Sequence, residues 1–200
     1  MGIAERRIRE RKAVRSLILK ASWRIVQKDG WQALSMRKLA DAIEYSAPVI
    51  YSHFPGKEAI LTEFVKQGFQ LLNDSLSDGG ERHQDPEARI EALAEGYLDF
   101  GINHRIHYEL MYGLGMPSCE TVTEIPELRA FTVILQEPIT RMLRQAGRPE
   151  SDAVTKMRAF WSMLHGLVSI HLMDFGTEDG SSRDILKDLV RNFIGGIRQG

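Results

Sequence analysis

A chain of 200 residues, 43% hydrophobic and 26% charged, is long enough for one large or two small packed units. No apolar run approaches the roughly 18 residues of a membrane span, and charges from Glu5 onward exclude the apolar core of a secretion signal. Cys119 is the only cysteine, which excludes an internal disulfide and fits a reducing compartment. We therefore expect a cytoplasmic protein with no membrane partner.

The net charge of −1 conceals a division of charge along the chain. Residues 1–57 carry 12 Lys or Arg against 5 Asp or Glu, a net of +7, whereas the remainder carries 14 against 22, a net of −8. A basic N-terminal segment followed by an acidic remainder is typical of a nucleic-acid-binding domain joined to a second unit.

The first predicted helix runs from Val14 to Asp29, where Asp29 and Gly30 end it. Apolar residues recur along it at the spacing of an amphipathic helix: Val14, Leu17, Ile18, Ala21 and Ile25. The basic segment 5–12 holds little apolar content, so we expect it to be frayed or only loosely helical in isolation. Basic arms of this kind often reach DNA.

Two short helices separated by a turn are predicted between positions 35 and 57. Ser35 can cap the first, because its hydroxyl can accept a hydrogen bond from a free amide at the helix start. Ser46 repeats the cap signal, and Pro48 loses no hydrogen bond in the first turn of the second helix. Apolar residues face inward: Leu39, Ala40, Ile43, Ile50 and Phe54. Small or polar residues remain on the outer side of the second helix: Ala47, Pro48, Tyr51 and Ser52. The pattern predicts a helix-turn-helix.

From Arg15 to about Phe69 the chain resembles the DNA-binding domain of the TetR (tetracycline-repressor-like) family of bacterial transcriptional regulators. The residues that carry the resemblance occur in the family's order: Ile18, Ala21, Ile25, Gly30, Leu34, Ser35, Leu39, Ala40, Ser46, Ile50, Tyr51, His53, Phe54 and Lys57. The resemblance implies DNA contacts from Ser35, Arg37, Ala47, Pro48, Tyr51, His53 and Lys57. Arg37 is the expected base reader, because a guanidinium can address guanine O6 and N7 together.

One position departs from the family pattern. The turn of the motif usually holds a glycine, whereas this chain has Glu44 followed by Tyr45. A non-glycine residue adopts a left-handed conformation only at a cost, so the turn and the docking angle on DNA are open to change.

The rest of the chain carries helical patterns only. A helix over 58–76 should connect a DNA-binding domain, 1–57, to a second domain, 77–200. Asp85, Pro86 and Glu87 form a strong helix start that leads to about Asn103. Further helices are expected over 106–112, before a turn at 113–117, then over 126–143 with a kink at Pro138, and over 150–175 and 185–197. The predicted fold class is all-α: an N-terminal three-helix helix-turn-helix domain plus a C-terminal helical ligand-binding and dimerisation domain.

The segment 160–169 resembles the signature of a C-terminal domain found in one TetR subgroup, called WHG after the residues that stand here as Trp161, His165 and Gly166. Trp161 and His165 share a helix face, beside a close backbone approach that Gly166 would permit. The resemblance implies a pocket for an uncharged or weakly polar effector, with these lining residues: Tyr97, Phe100, Tyr108, Met111, Tyr112, Phe131, Leu135, Trp161, Met163, Leu164 and His165. A plain packed core is the competing interpretation of each.

The last two predicted helices carry more apolar surface than one subunit readily covers. We expect them to pair with their symmetry mates as a four-helix bundle. The predicted homodimer interface consists of Val168, His171, Leu172, Leu186, Leu189, Val190 and Phe193.

Other chemistry has little support in the sequence. His104 and His107 share a helix face, but no neighbouring acid completes a metal site, so we predict no metal and no cofactor. Phosphate-binding, dinucleotide-binding and hydrolase motifs are absent from the sequence, and we predict no enzyme.

The sequence therefore predicts a dimeric repressor that binds a double-stranded operator and responds to a small-molecule effector. Two alternatives stay open. One is a DNA-binding regulator controlled by a protein partner, with a filled core. The other is an enzyme or metal-dependent protein that carries a basic N-terminal domain.

Overall fold

The computed structural model of this chain describes residues 2–80, 83–113, 125–173 and 179–199. All regular elements in these ranges are helical, as predicted. The α-helices are α1 (Ile3–Asp29), α2 (Met36–Ile43), α3 (Ala47–His53), α4 (Lys57–Gly80), α5 (Pro86–Asn103), α6 (Arg105–Tyr112), α7 (Pro126–Gln145), α8 (Ala153–Leu172) and α9 (Asp179–Gln199). Short 3₁₀ turns lie at Trp31–Ala33 and Glu150–Asp152. None of the described helices is both long and apolar enough to cross a membrane.

The chain divides into two compact units, 1–65 and 66–200, and the division falls inside α4. In the first unit, α1 packs on α2 and α2 on α3. The core comes from each of its helices: Ile18, Val26, Leu39, Ala40, Ile43, Ile50, Phe54, Ile60, Leu61 and Phe64. The ring of Trp23 meets Phe64 edge-on, with the centroids 5.2 Å apart.

Helix α1 begins at Ile3, well before the predicted start at Val14, and includes the basic lead-in 5–12. Local polar contacts account for the longer helix. The Gly2 amide donates to Glu5 at 3.0 Å, and Arg6 pairs with Glu10 one turn later at 2.8 Å. Such contacts satisfy helix-start amides and add i,i+4 attraction where no core is available.

In the second unit, α5 contacts α7, α8 and α9. The Asp85 side chain accepts a hydrogen bond from the Ala88 amide at 3.0 Å, which confirms the predicted helix start. Pro138 lies inside α7 without ending it. Predicted features on 114–124 and on Phe175 lie outside the described residues, as does Cys119.

Candidate functional site

The helix-turn-helix is built by local hydrogen bonds around α2 and α3. The Ser35 hydroxyl accepts from the Lys38 amide at 3.1 Å, so the predicted cap of α2 is present. Ser46 precedes α3 as predicted, but its side chain makes no capping hydrogen bond, and Pro48 in the first turn supplies the remaining start signal. Backbone preorganisation by proline compensates for a missing cap, since its fixed φ suits the helix.

The turn between α2 and α3 adopts the left-handed conformation at Glu44, with φ 58° and ψ 37°. The Glu44 amide donates to the Asp41 carbonyl at 3.4 Å, and the Tyr45 amide donates to the Ala40 carbonyl at 3.1 Å. These two bonds satisfy carbonyls that a helix end otherwise leaves free. Glu44 therefore adopts the left-handed conformation that glycine adopts in this turn, and this conformation costs free energy because Glu44 has a Cβ.

Helix α3 is held by its inner face and exposes its outer face. Ile50 is fully buried, and Phe54, which follows the helix, is 1% exposed. On the other side Tyr51 is 52% exposed, and Pro48 and Ser52 are exposed beside it. The small neighbours of Tyr51 allow the helix backbone to come close to a groove.

Cationic and titratable groups flank this face. The Arg37 side chain is exposed at the start of α2. The Lys57 ammonium lies 4.7 Å from the centre of the Trp31 ring, so the indole holds this cation in place by a cation–π contact. Burial lowers the pKa of His53, and the charges of Arg11 and Arg15 lower it further. His53 is therefore neutral near pH 7 in the free protein.

In the second unit, a chain of hydrogen bonds links polar groups from α5, α6 and α8. The Trp161 indole donates to the Tyr97 hydroxyl at 3.2 Å, and this hydroxyl lies 3.4 Å from that of Tyr108. The Tyr108 hydroxyl lies 2.6 Å from Nδ1 of His165, whose Nε2 is 3.5 Å from the Ser169 hydroxyl.

Burial fixes the protonation of this chain of hydrogen bonds. It raises the pKa of Tyr97 and Tyr108 and lowers the pKa of His165, so all three are neutral near pH 7. A neutral imidazole can accept from Tyr108 at Nδ1 and donate from Nε2 to Ser169. The cluster offers hydrogen bonds without formal charge.

The Tyr112 hydroxyl is the incomplete member of this cluster. It is buried and has no hydrogen-bond partner of acceptable geometry among the described residues, although Tyr97 and Trp161 lie close enough to affect its pKa. The rings of Tyr108 and His165 both have centroids 4.7 Å from that of Tyr112. A buried hydroxyl without a partner is costly. A bound polar atom would therefore gain more free energy by hydrogen bonding to this hydroxyl than to the paired hydroxyls of the cluster.

The structure brings several predicted pocket residues together. Seven are buried: Tyr97, Phe100, Tyr108, Met111, Phe131, Leu135 and Leu164. Trp161 and His165 are half-buried. Ser169 was missing from the predicted set. Its spacing offered a signal, because Ser169 follows His165 by one helical turn.

The predicted close approach at Gly166 was wrong. A Cβ added at Gly166 meets no described atom within 4 Å. The close contact of α5 with α8 lies at Gly101, where a Cβ would overlap Cγ1 of Val168 and lie 3.1 Å from its Cγ2. Both glycines have helical neighbours on each side, so sequence alone did not distinguish them.

The predicted dimer residues fall into two groups. Val168, Leu186 and Val190 are buried within one protomer, which leaves little of them for a second copy to contact. The others are half-buried: His171, Leu172, Leu189 and Phe193. Apolar residues that were not predicted are more accessible on these helices or directly after them: Ile170 (53% exposed), Met173 (61%), which follows α8, and Ile185 (46%).

A cleft of about 660 Å³ lies between α5 and α9. Its charged walls differ from the predicted effector pocket, since Glu87, Glu91 and Glu95 face Lys187 and Arg191 across it. The described residues contain no group of three or more His, Cys, Asp or Glu that could hold a metal, and the rings of His104 and His107 are 6.2 Å apart.

Comparisons with known proteins match both units. The family model described as "Bacterial regulatory proteins, tetR family" matches residues 18–64, and the one described as "Tetracyclin repressor-like, C-terminal domain" matches residues 90–193, just over half of the chain. An uncharacterized HTH-type transcriptional regulator of Mycobacterium tuberculosis is 22% identical, over 96% of this chain and 84% of its own length.

Solved structures share the fold. A TetR variant from Acinetobacter baumannii in complex with minocycline superposes with a TM-score of 0.63 at 18% identity, covering 91% of this chain and 94% of that one. AibR in complex with isovaleryl coenzyme A and operator DNA gives a TM-score of 0.64 at 17% identity, covering 88% and 95%.

Proposed function

We propose that this chain, which belongs to the tetracycline-repressor-like (TetR) family of bacterial transcriptional regulators, is a homodimeric repressor that a small, largely hydrophobic effector releases from a palindromic operator. Its place in the family makes it a DNA-binding transcriptional regulator with a helix-turn-helix. Repression, the effector, the dimer and a cytoplasmic location are our proposals. We propose no catalytic activity.

The exposed outer face of α3 supports the DNA contact most directly. Tyr51 projects from it while Ile50 and Phe54 anchor the opposite side, so the helix can enter a groove without disturbing the core. In our assignment Arg37 reads a base, and Lys57, held over Trp31, contacts a phosphate.

The test starts from operator sites selected from random DNA with the full chain. Arg37→Ala should relax sequence preference, with a loss of about 1–3 kcal/mol of discrimination at one base pair. Lys57→Ala should weaken all sequences alike and reduce the salt slope by about one unit. Arg191→Ala removes one positive charge from an exposed position of α9 and serves as the control. Equal weakening of every sequence by Arg37→Ala would show that the roles are misassigned.

The aromatic cluster supports an uncharged effector. Its hydrogen-bonding groups are neutral, and aromatic side chains surround them, as at Tyr97 and Phe131, whose ring centroids are 6.0 Å apart. Two solved relatives of this fold were studied with small molecules, minocycline and isovaleryl coenzyme A, which favours ligand control here.

The proposed mechanism has two dimer states. The effector prefers the state whose two DNA-binding heads do not match the half-site spacing of the operator, so binding removes protein from DNA. Operator titrations followed by fluorescence anisotropy, with uncharged apolar compounds and with fractionated cell extract, test this. If only protein fractions change operator affinity, control by a protein partner should replace the effector.

A further inference from the structure

The N-terminal turns of α1 bury none of their side chains in the core of the first unit. Every residue from 3 to 13 is exposed, and the first buried side chain of α1 is Ile18. At 1.5 Å per residue, this unpacked segment is roughly 16 Å long. Since packing does not explain it, its surface chemistry indicates its use.

Three arginines line one face of this helix. Arg7, Arg11 and Arg15 follow each other at four-residue spacing, at which like charges repel. Arg15 is compensated by Glu63, whose carboxylate is 3.1 Å away. Within the described part of the chain, no hydrogen bond or ion pair engages Arg7 or Arg11. An anion beside them would relieve the repulsion.

Contacts inside the first unit place one end of this arginine face beside the end of α3. The Arg15 guanidinium lies 4.6 Å from the centre of the Phe54 ring, directly after the end of α3. The field of Arg11 also reaches His53, the last residue of α3, and contributes to its lowered pKa. The arginine face therefore begins beside the C-terminal end of the candidate recognition helix and extends outward from it.

We propose that Arg7 and Arg11 extend the DNA interface by contacting phosphates that flank the bases faced by α3. The proposal rests on the proposed operator binding. Double-stranded DNA carries one negative charge per about 1.7 Å of its axis, so cations one helical turn apart can meet neighbouring phosphates. A membrane surface fits less well, because the exposed Ile3 and Ile8 are five residues apart and point to different sides of the helix.

The test compares the full chain with the double variant Arg7→Gln/Arg11→Gln on a selected operator. The control is Lys20→Gln/Arg24→Gln, which removes two exposed charges at the same spacing from the far side of α1. Affinity is measured by fluorescence anisotropy between 50 and 200 mM salt, and circular dichroism verifies that helix content is retained.

Loss of two phosphate contacts per subunit should reduce the magnitude of the salt slope by about 1.8 per subunit. The operator affinity of the native chain divided by that of the double variant should then fall about twelvefold per subunit as the salt rises from 50 to 200 mM. The double variant should keep the same base preference, and the control should show no change. Trimming the flanks of the operator duplex should weaken the native chain towards the affinity of the double variant.

An unchanged slope in the double variant, with operator binding intact in the native chain, overturns this inference alone. Failure of the native chain to bind any selected duplex overturns the proposed function and this inference with it. If the native chain binds phosphatidylglycerol vesicles and the double variant does not, while both bind the operator equally, the arginine face would instead be assigned to a lipid surface.

Discussion

Gly101→Ala should destabilise the protein, although alanine is the better helix former. Alanine in place of glycine in a helix gains about 0.5–1 kcal/mol. At Gly101, however, the new Cβ would overlap Cγ1 of Val168. The Cγ atoms of valine sit on a stiff χ1, so α5 and α8 must separate slightly. Such overpacking costs about 1–3 kcal/mol, which leaves a net loss of about 0–2.5 kcal/mol, and about 1 kcal/mol from the middle of both ranges.

Gly166→Ala is the matched control, because its Cβ meets no described atom within 4 Å. This variant should gain the helix propensity and lose nothing to packing within the protomer. The difference between the two variants therefore isolates the overpacking term. For a chain of this size, 1 kcal/mol corresponds to roughly 2–4 °C in Tm. Gly101→Ala should melt below the native chain and Gly166→Ala at or slightly above it.

Urea denaturation at fixed protein concentration measures both differences, and an unchanged m-value shows that the transition is the same. Equal or greater stability of Gly101→Ala would refute the close approach of α5 to α8. A loss of dimer in Gly166→Ala, detected by sedimentation, would place Gly166 at the contact between two copies.

The remaining predictions concern the turn, the dimer, a half-buried histidine and a buried hydroxyl. Glu44→Gly should stabilise the chain by up to about 1 kcal/mol, because relief of the left-handed conformation exceeds the added backbone entropy; a loss in urea denaturation would contradict this. Leu189→Glu and Phe193→Glu should each give folded monomers in sedimentation, since a two-fold interface doubles an introduced charge; two folded dimers would move the interface elsewhere. Burial, with the charge of His104 second, lowers the pKa of His107 to about 4. Between pH 4 and 6.5 the unfolded chain then binds more protons, so stability should rise with pH there, and His107→Gln should flatten that rise. Tyr112→Phe should leave stability equal or slightly higher, because it removes a buried hydroxyl without a partner; a loss above about 2 kcal/mol would show that this hydroxyl is bonded.

Features set by neighbouring residues were predicted well from the sequence. The Ser35 cap of α2, the start of α3 at Ala47 and the Asp85 cap of α5 each depend on a side chain and an amide within three residues. Capping chemistry of this kind is local, so it can be recognised without knowledge of the fold.

Features set by distant residues were predicted poorly. Val168 belongs to an apolar helix face, and only the position of α5 shows that this residue packs against Gly101 within the protomer. The bond between Tyr108 and His165 joins positions 57 apart, for which no sequence pattern exists. Periodicity shows that a residue faces inward but not what it meets.

The buried hydroxyl of Tyr112 restricts which effectors can act through the aromatic cluster. Leaving such a group unpaired costs about 1–3 kcal/mol, and although Tyr97 and Trp161 lie near it, no described residue forms a well-aligned hydrogen bond with it. A ligand oxygen that bonds it in only one dimer state recovers that free energy in that state alone. The equilibrium between the states would then shift by about 5- to 150-fold, the range of ordinary allosteric couplings. An entirely apolar ligand that is buried equally in both states shifts nothing, however tightly it binds. The proposed effector should therefore carry at least one hydrogen-bonding oxygen on an otherwise apolar, uncharged body.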